Sequence, residues 1–176
     1  MEIIKTLING LVIIQPKVFE DERGYFMESY KENFIKENFP EINFIQENES
    51  KSTYGVLRGL HFQMPPFEQT KLVRVIDGEV LDVAVDLRDN SPTYGRWESI
   101  VLSGENKKQF FIPKGFAHGF IVLSKQAIFS YKVDNLYSPD HDSGIYYKDT
   151  SLGIDWLLND NDIILSEKDK KLGYFK

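Results

Sequence analysis

The run Leu57-Arg58-Gly59-Leu60-His61-Phe62-Gln63 sets a guanidinium and an imidazole three residues apart inside an otherwise apolar, strand-like stretch. Histidine is the side chain whose ordinary pKa, about 6.5, lets it exchange a proton near neutral pH. The chain has three, His61, His118 and His141, and His61 is the first candidate for proton chemistry. His118 lies in Ile112-Pro113-Lys114-Gly115-Phe116-Ala117-His118-Gly119-Phe120, which reads as a glycine-bracketed bend before a strand. A histidine there either packs a turn through its own hydrogen bonds or reaches a ligand. His141, between Asp140 and Asp142 after Ser138-Pro139, reads as a surface-loop residue. A transition metal would need two or three histidines converging with a carboxylate. These are scattered and cysteine is absent, so the expectation is no metal, no thiolate chemistry and no disulfide.

Cations form a second group. Arg23, in Phe19-Glu20-Asp21-Glu22-Arg23-Gly24-Tyr25-Phe26, joins Arg58 and Lys71 as a set able to hold a diphosphate through charge-assisted contacts. Each alone is an ordinary solvated charge; the combination points to an anion. Tyr131, followed by Lys132, closes an apolar strand and is by default a core or interface aromatic. Asp169, in Lys168-Asp169-Lys170-Lys171, is by default a solvated acid. Both change meaning if the fold brings them to His61. A carboxylate on one ring nitrogen fixes the tautomer and strengthens the other as a base, and a phenol across the ligand can donate a proton.

The elements that must position these groups are short apolar runs separated by turn residues. Strands are expected at 11–15, 25–29, 43–46, 57–63, 72–76, 79–87, 97–102, 109–112, 119–123 and 127–131, with one helix at 31–38. Asp77-Gly78 between two of these runs predicts a hairpin. In 79–87, Leu81, Val83, Val85 and Leu87 alternate with Val80, Asp82, Ala84 and Asp86, so one face is apolar and the mixed face lines a cavity or interface. Many short strands at this spacing indicate an all-β sandwich, barrel or jelly roll. Arg58 and His61 have opposite parity on a regular strand; sharing a site requires a bulge at Gly59 or a ligand reached from a second subunit.

Composition bounds the rest. The 176 residues fit a single domain, 1–176, with no linker, repeat or low-complexity tract, and 41% hydrophobic and 14% aromatic content supports one core. A net charge of −6 offers no overall footprint for nucleic acid or an anionic membrane, so an anionic ligand must be held by local cations. Leu11-Val12-Ile13-Ile14 is too short for a signal h-region and no run approaches a membrane span. A cytoplasmic location is expected.

Several separated blocks, in order and at matching spacing from about residue 10 to 170, resemble the nucleotide-sugar 3,5-epimerases that act on dTDP-4-dehydro-6-deoxyglucose in dTDP-L-rhamnose synthesis. They are 19–29 with Asp21, Arg23 and Gly24; 57–63; Lys71-Leu72-Val73-Arg74; 82–95; 112–120; Tyr131-Lys132; Gly153-Ile154-Asp155-Trp156; and Leu165-Ser166-Glu167-Lys168-Asp169. The resemblance implies a cupin-type jelly roll with short peripheral helices, usually a homodimer, working without metal or cofactor. It implies His61 as base, Asp169 as its carboxylate partner, Tyr131 as acid and Lys71 beside the sugar C4 oxygen. It places Phe19, Arg23, Glu28, Gln46, Asn48, Arg58, His118 and Asp142 against the nucleotide-sugar substrate. Three positions depart from the family pattern: Leu136 where a second tyrosine is common, Asp142 where glutamate is usual, and Leu157 where proline follows the tryptophan. The expected activity is inversion at C3 and C5. The rivals are a mono-epimerase, a 3,4-ketoisomerase on a related nucleotide sugar, and a noncatalytic sugar-binding cupin.

Overall fold

The structure, a computed structural model, describes residues 1–175. Its strands are β1 (Glu2–Lys5), β2 (Val12–Gln15), β3 (Val18–Asp21), β4 (Gly24–Met27), β5 (Gln46–Thr53), β6 (Leu57–Gln63), β7 (Lys71–Asp77), β8 (Glu79–Asp86), β9 (Trp97–Ser103), β10 (Gln109–Ile112), β11 (Phe116–Val122), β12 (Gln126–Val133) and β13 (Asp142–Gly144); the helix α1 is Glu32–Asn38. They form a six-stranded sheet in the order β1-β2-β10-β7-β12-β5, a five-stranded sheet in the order β13-β6-β11-β8-β9, and a separate β3-β4 ribbon. All strand pairs are antiparallel. The architecture is the expected cupin-type jelly roll.

The alternation in β8 explains why the two sheets face each other. Val80 and Ala84 enter the core between the sheets with Val73, Val75, Phe110 and Phe129. Leu81, Val83 and Val85 point the other way, where Ile145, Tyr147, Leu152 and Trp156 of the C-terminal segment cover them. Burying each such side chain contributes about 1.5–3 kcal/mol, so the five-stranded sheet is stabilised from both faces. The mixed face, carrying Asp82, is the one that borders the cavity described below. On the six-stranded sheet, Ile35 of α1 packs on Val12, Ile14, Leu72 and Phe111. A seven-residue helix has little stability of its own; this apolar contact holds it.

Three expectations need correction. The Asp77-Gly78 turn does not make a hairpin, because β7 and β8 belong to different sheets. Gly78, at φ +82°, turns the chain from one sheet to the other, and a Cβ there would lie 2.0 Å from the Gln126 carbonyl. His118 is not on a bend before a strand but inside β11, which begins at Phe116. The strand expected at 43–46 is instead β5, starting at Gln46. Its inward residues Asn48, Ser50 and Ser52 are polar, so no apolar alternation marks it. β1, β3 and β13 also escaped the reading, all three being short and β1 and β3 mostly solvent-facing.

Candidate active site

One end of the space between the sheets opens as a cavity of about 530 Å³. Arg58 and His61 both line it despite their parity. The cause is an irregularity in β6: Arg58 pairs with Phe120 and His61 with His118, so Gly59 and Leu60 together stand opposite Gly119 alone. Gly59 sits in that step at φ +126°, and a Cβ would come within 2.5 Å of the Gly119 Cα. Of the two alternatives the parity left open, the bulge is present, and glycines on both strands permit it.

His61 Nε2 lies 2.5 Å from Asp169 Oδ1, across 108 residues of sequence. Asp169 heads a short 3-10 turn, Asp169–Lys171, and is 3% exposed while its neighbours Lys170 and Lys171 face solvent. Burial alone would raise its pKa. The hydrogen bond and charge of His61, the Ser166 hydroxyl and the charge of Lys168 overcome this and hold the carboxyl below the usual range. The Asp169 N–H also donates to Ser166 Oγ at 3.1 Å.

His118, beside His61, turns Nε2 to Asp82, whose carboxylate oxygens lie 2.9 and 3.0 Å away. Asp82 is fully buried. Burial raises its pKa against the pull of His118 and Lys71, and burial lowers that of His118 against Asp82. Burial also pushes the Lys71 ammonium down to about 8, opposed by the charges of Asp82 and Asp142. Low local polarity disfavours each ion on its own.

Tyr131 enters the same cavity from β12, on the sheet opposite His61. Burial raises its pKa, while a hydrogen bond to Asn48 and the charge of Arg58 pull it down. Asn48 is its cross-strand neighbour on β5, and Gln46 Nε2 donates to Asn48 Oδ1 at 2.8 Å. Arg58 Nε donates to Ser52 Oγ at 3.1 Å, which aims its guanidinium along the cavity mouth. A cavity bounded by one imidazole–carboxylate pair, an ammonium and a facing phenol can accept, stabilise and return a proton.

Not every expected residue gathers here. Phe19, Arg23 and Glu28 sit on or just after the β3-β4 ribbon, which stands away from the cavity. Phe19 is 52% exposed, with its ring tilted against Phe26 of its own ribbon and under the Lys17 ammonium; Arg23 pairs with Asp21, and Glu28 with Lys31. Asp142 lies beside the cavity, bound by Lys168 Nζ and, at 3.0 Å, by the Tyr137 hydroxyl. His141 is half-buried rather than exposed, with its ring against Phe67 and Nδ1 at 2.8 Å from Ser138 Oγ. Asp82, Ser52, Ser166 and Lys168 were missed. Asp82 alone left a signal, as an acid within an apolar strand. Leu157 takes φ +63° and its N–H donates to Asp155 Oδ1, a conformation and a donor that proline cannot supply. Among the described residues no three His, Asp or Glu side chains converge as a metal would require.

Fold and cavity together define a cupin-type barrel with an imidazole–carboxylate pair inside it. The chain belongs to the dTDP-4-dehydrorhamnose 3,5-epimerase family, whose model matches residues 5–176. It is 56% identical over 168 residues to the dTDP-4-dehydrorhamnose 3,5-epimerase of Methanothermobacter thermautotrophicus, covering 95% of this chain and 90% of that one. It superposes with a TM-score of 0.95 on the crystal structure of the enzyme of that name from Elizabethkingia anophelis, at 50% identity, covering 99% of this chain and 96% of that one. A structure from Legionella pneumophila, dTDP-6-deoxy-D-glucose-3,5-epimerase in complex with dTDP-4-keto-L-rhamnose, matches at TM-score 0.94 and 50% identity, covering 98% and 92%.

Proposed function

We propose that this chain is a cofactor-independent epimerase that inverts C3 and C5 of dTDP-4-dehydro-6-deoxy-D-glucose to give dTDP-4-dehydro-L-rhamnose, in dTDP-rhamnose biosynthesis. The observation that carries the reading is the 2.5 Å contact between His61 and Asp169 in a cavity whose opposite sheet presents Tyr131. The names and identities of the relatives point the same way.

Protons on carbons beside a ketone are acidic enough for an imidazole to remove when the enolate oxygen is stabilised. In this reading the ring nitrogen of His61 not bound to Asp169 takes the proton, and Asp169 stabilises the resulting imidazolium. Lys71 meets the C4 oxygen as it gains charge. Tyr131 returns a proton from the other face, and delivery from the other face is what inverts the centre. Arg58 and His118 hold the nucleotide and diphosphate, with Asn48, beside Tyr131, and its hydrogen-bonded neighbour Gln46 contributing further polar contacts.

Phe19, Arg23 and Glu28 reach a nucleotide only from a second copy. The working form is therefore a homodimer of single-domain chains, each lending its exposed ribbon to its partner's cavity, and acting in the cytoplasm.

The test is incubation with dTDP-4-dehydro-6-deoxyglucose in deuterated water, following the C3 and C5 protons by NMR. Solvent deuterium should appear at both carbons. Deuterium at one carbon alone would make the enzyme a mono-epimerase, and none at either would leave a binding module.

A further inference from the structure

β13 is three residues long yet pairs with His61 and contacts both sides of the turn that carries Asp169. Gly144 is the cross-strand partner of His61. Leu172, directly after the turn that carries Asp169, packs against Gly144 so closely that a Cβ there would lie 2.8 Å from its Cδ1. Two residues before Gly144, Asp142 accepts from Lys168 Nζ and from the Tyr137 hydroxyl. Lys168 immediately precedes Asp169.

The C-terminal segment is anchored by backbone hydrogen bonds at Ile164, to Gly55 and Leu57, and at Gly173, to Tyr146. Between these anchors, among the described residues, two polar contacts run from the segment to the sheets: Asp169 to His61 and Lys168 to Asp142. Exposed ion pairs contribute little; here Lys168 is 51% exposed but the Asp142 side chain only 12%, so solvent screens the pair in part.

We infer that Asp142 is a positioning residue: by gripping Lys168 it sets Asp169 at hydrogen-bond distance from His61, without itself touching substrate. The inference rests on the proposed catalytic use of that pair, and it gives Asp142 a different task from the substrate contact expected from sequence. The grip acts on the residue next to Asp169, so its loss lets the turn shift and lengthens the contact to His61.

The test pairs steady-state kinetics with NMR of the His61 side-chain proton in the ligand-free protein. Asp142→Asn keeps the size and loses the charge. It should lower kcat about tenfold with KM changed less than about twofold, and should move the His61 proton resonance upfield. Asp142→Glu, which keeps the carboxylate, should restore both. Lys168→Met should move the resonance in the same direction. An unmoved resonance in both Asp142→Asn and Lys168→Met would overturn the inference. So would a rise in KM at constant kcat, which would put Asp142 on the substrate. A resonance that moves while kcat stays at the wild-type value would support the clamp and sink the catalytic reading of the pair instead.

Discussion

His61 and His118 face each other across adjacent strands, and each has a carboxylate of its own. The two pairs share residue types and differ in state. The His118 side chain is 8% exposed and Asp82 is fully enclosed, so burial raises the acid and lowers the imidazole. Burial thus favours the neutral imidazole, with Nε2 held on the Asp82 carboxyl group. The His61 side chain is 30% exposed, and its Asp169 is held as an anion. An anion beside the ring favours the imidazolium that proton abstraction creates, which suits the His61 pair to base chemistry.

Asp169→Asn should lower turnover far more than it weakens substrate binding, because an amide cannot stabilise the imidazolium. Loss of a charge-assisted hydrogen bond of about 1.5–3 kcal/mol corresponds to a rate loss of roughly ten- to a hundredfold or somewhat more. An unchanged kcat in steady-state assays would return Asp169 to a structural role.

His61→Ala and Tyr131→Phe should fail differently in deuterated water. Without His61 no base reaches either carbon, and exchange should cease. Without the phenol, His61 can still return a deuteron to the same face, so exchange persists while inverted product falls sharply. Inverted product formed at the wild-type rate by Tyr131→Phe would place the acid elsewhere.

Lys71 predicts the alkaline limb of the pH profile. Its ammonium is the form that stabilises an enolate, and with a pKa of about 8 that form is lost as pH rises through about 8, not near the ordinary 10.5. The Tyr131 phenol, raised above its ordinary 10, stays protonated across that range. Stability has the opposite sign. Between the folded and unfolded values the unfolded chain binds more protons, so stability rises with pH in that window and burial of the cation costs stability below it. Lys71→Met should therefore melt higher than wild type at neutral pH while losing turnover. A kcat flat from pH 7 to pH 9.5 would remove Lys71 from the reaction.

The β3-β4 ribbon gives the oligomer prediction. Phe19 and Arg23 cannot serve their own cavity from where they sit, so Arg23→Ala should raise KM for the nucleotide sugar, and light scattering should report a dimer. A fully active monomer would rule out the shared site.

The sequence was most legible where its periodicity and its chemistry agreed. The alternation in 79–87 identified β8 and its mixed face, and the parity conflict between Arg58 and His61 called for either a bulge at Gly59 or a second subunit, of which the bulge is present. It was least legible where the cavity wall is polar. Asn48, Ser50 and Ser52 face inward on β5, so the apolar alternation that reveals a strand is missing. Asp77-Gly78 announced a turn but not its partner, because a turn dipeptide specifies local backbone and not which sheet the next strand joins. Asp169 reads as one charge among lysines, and only tertiary packing separates it from Lys170 and Lys171. The role proposed for it came from the resemblance; local chemistry did not mark it.

The C-terminal segment that covers the outer face of the five-stranded sheet also delivers Asp169, and both tryptophans of the chain lie along that seam. Trp97 Nε1 donates to the Leu152 carbonyl at 2.7 Å, and Trp156 Nε1 to the Tyr147 carbonyl at 2.9 Å. Lifting residues 145–156 from the sheet would uncover Trp156 and break both indole hydrogen bonds. Intrinsic tryptophan emission is thus an optical gauge, built into the molecule, of whether this cover lies on the five-stranded sheet.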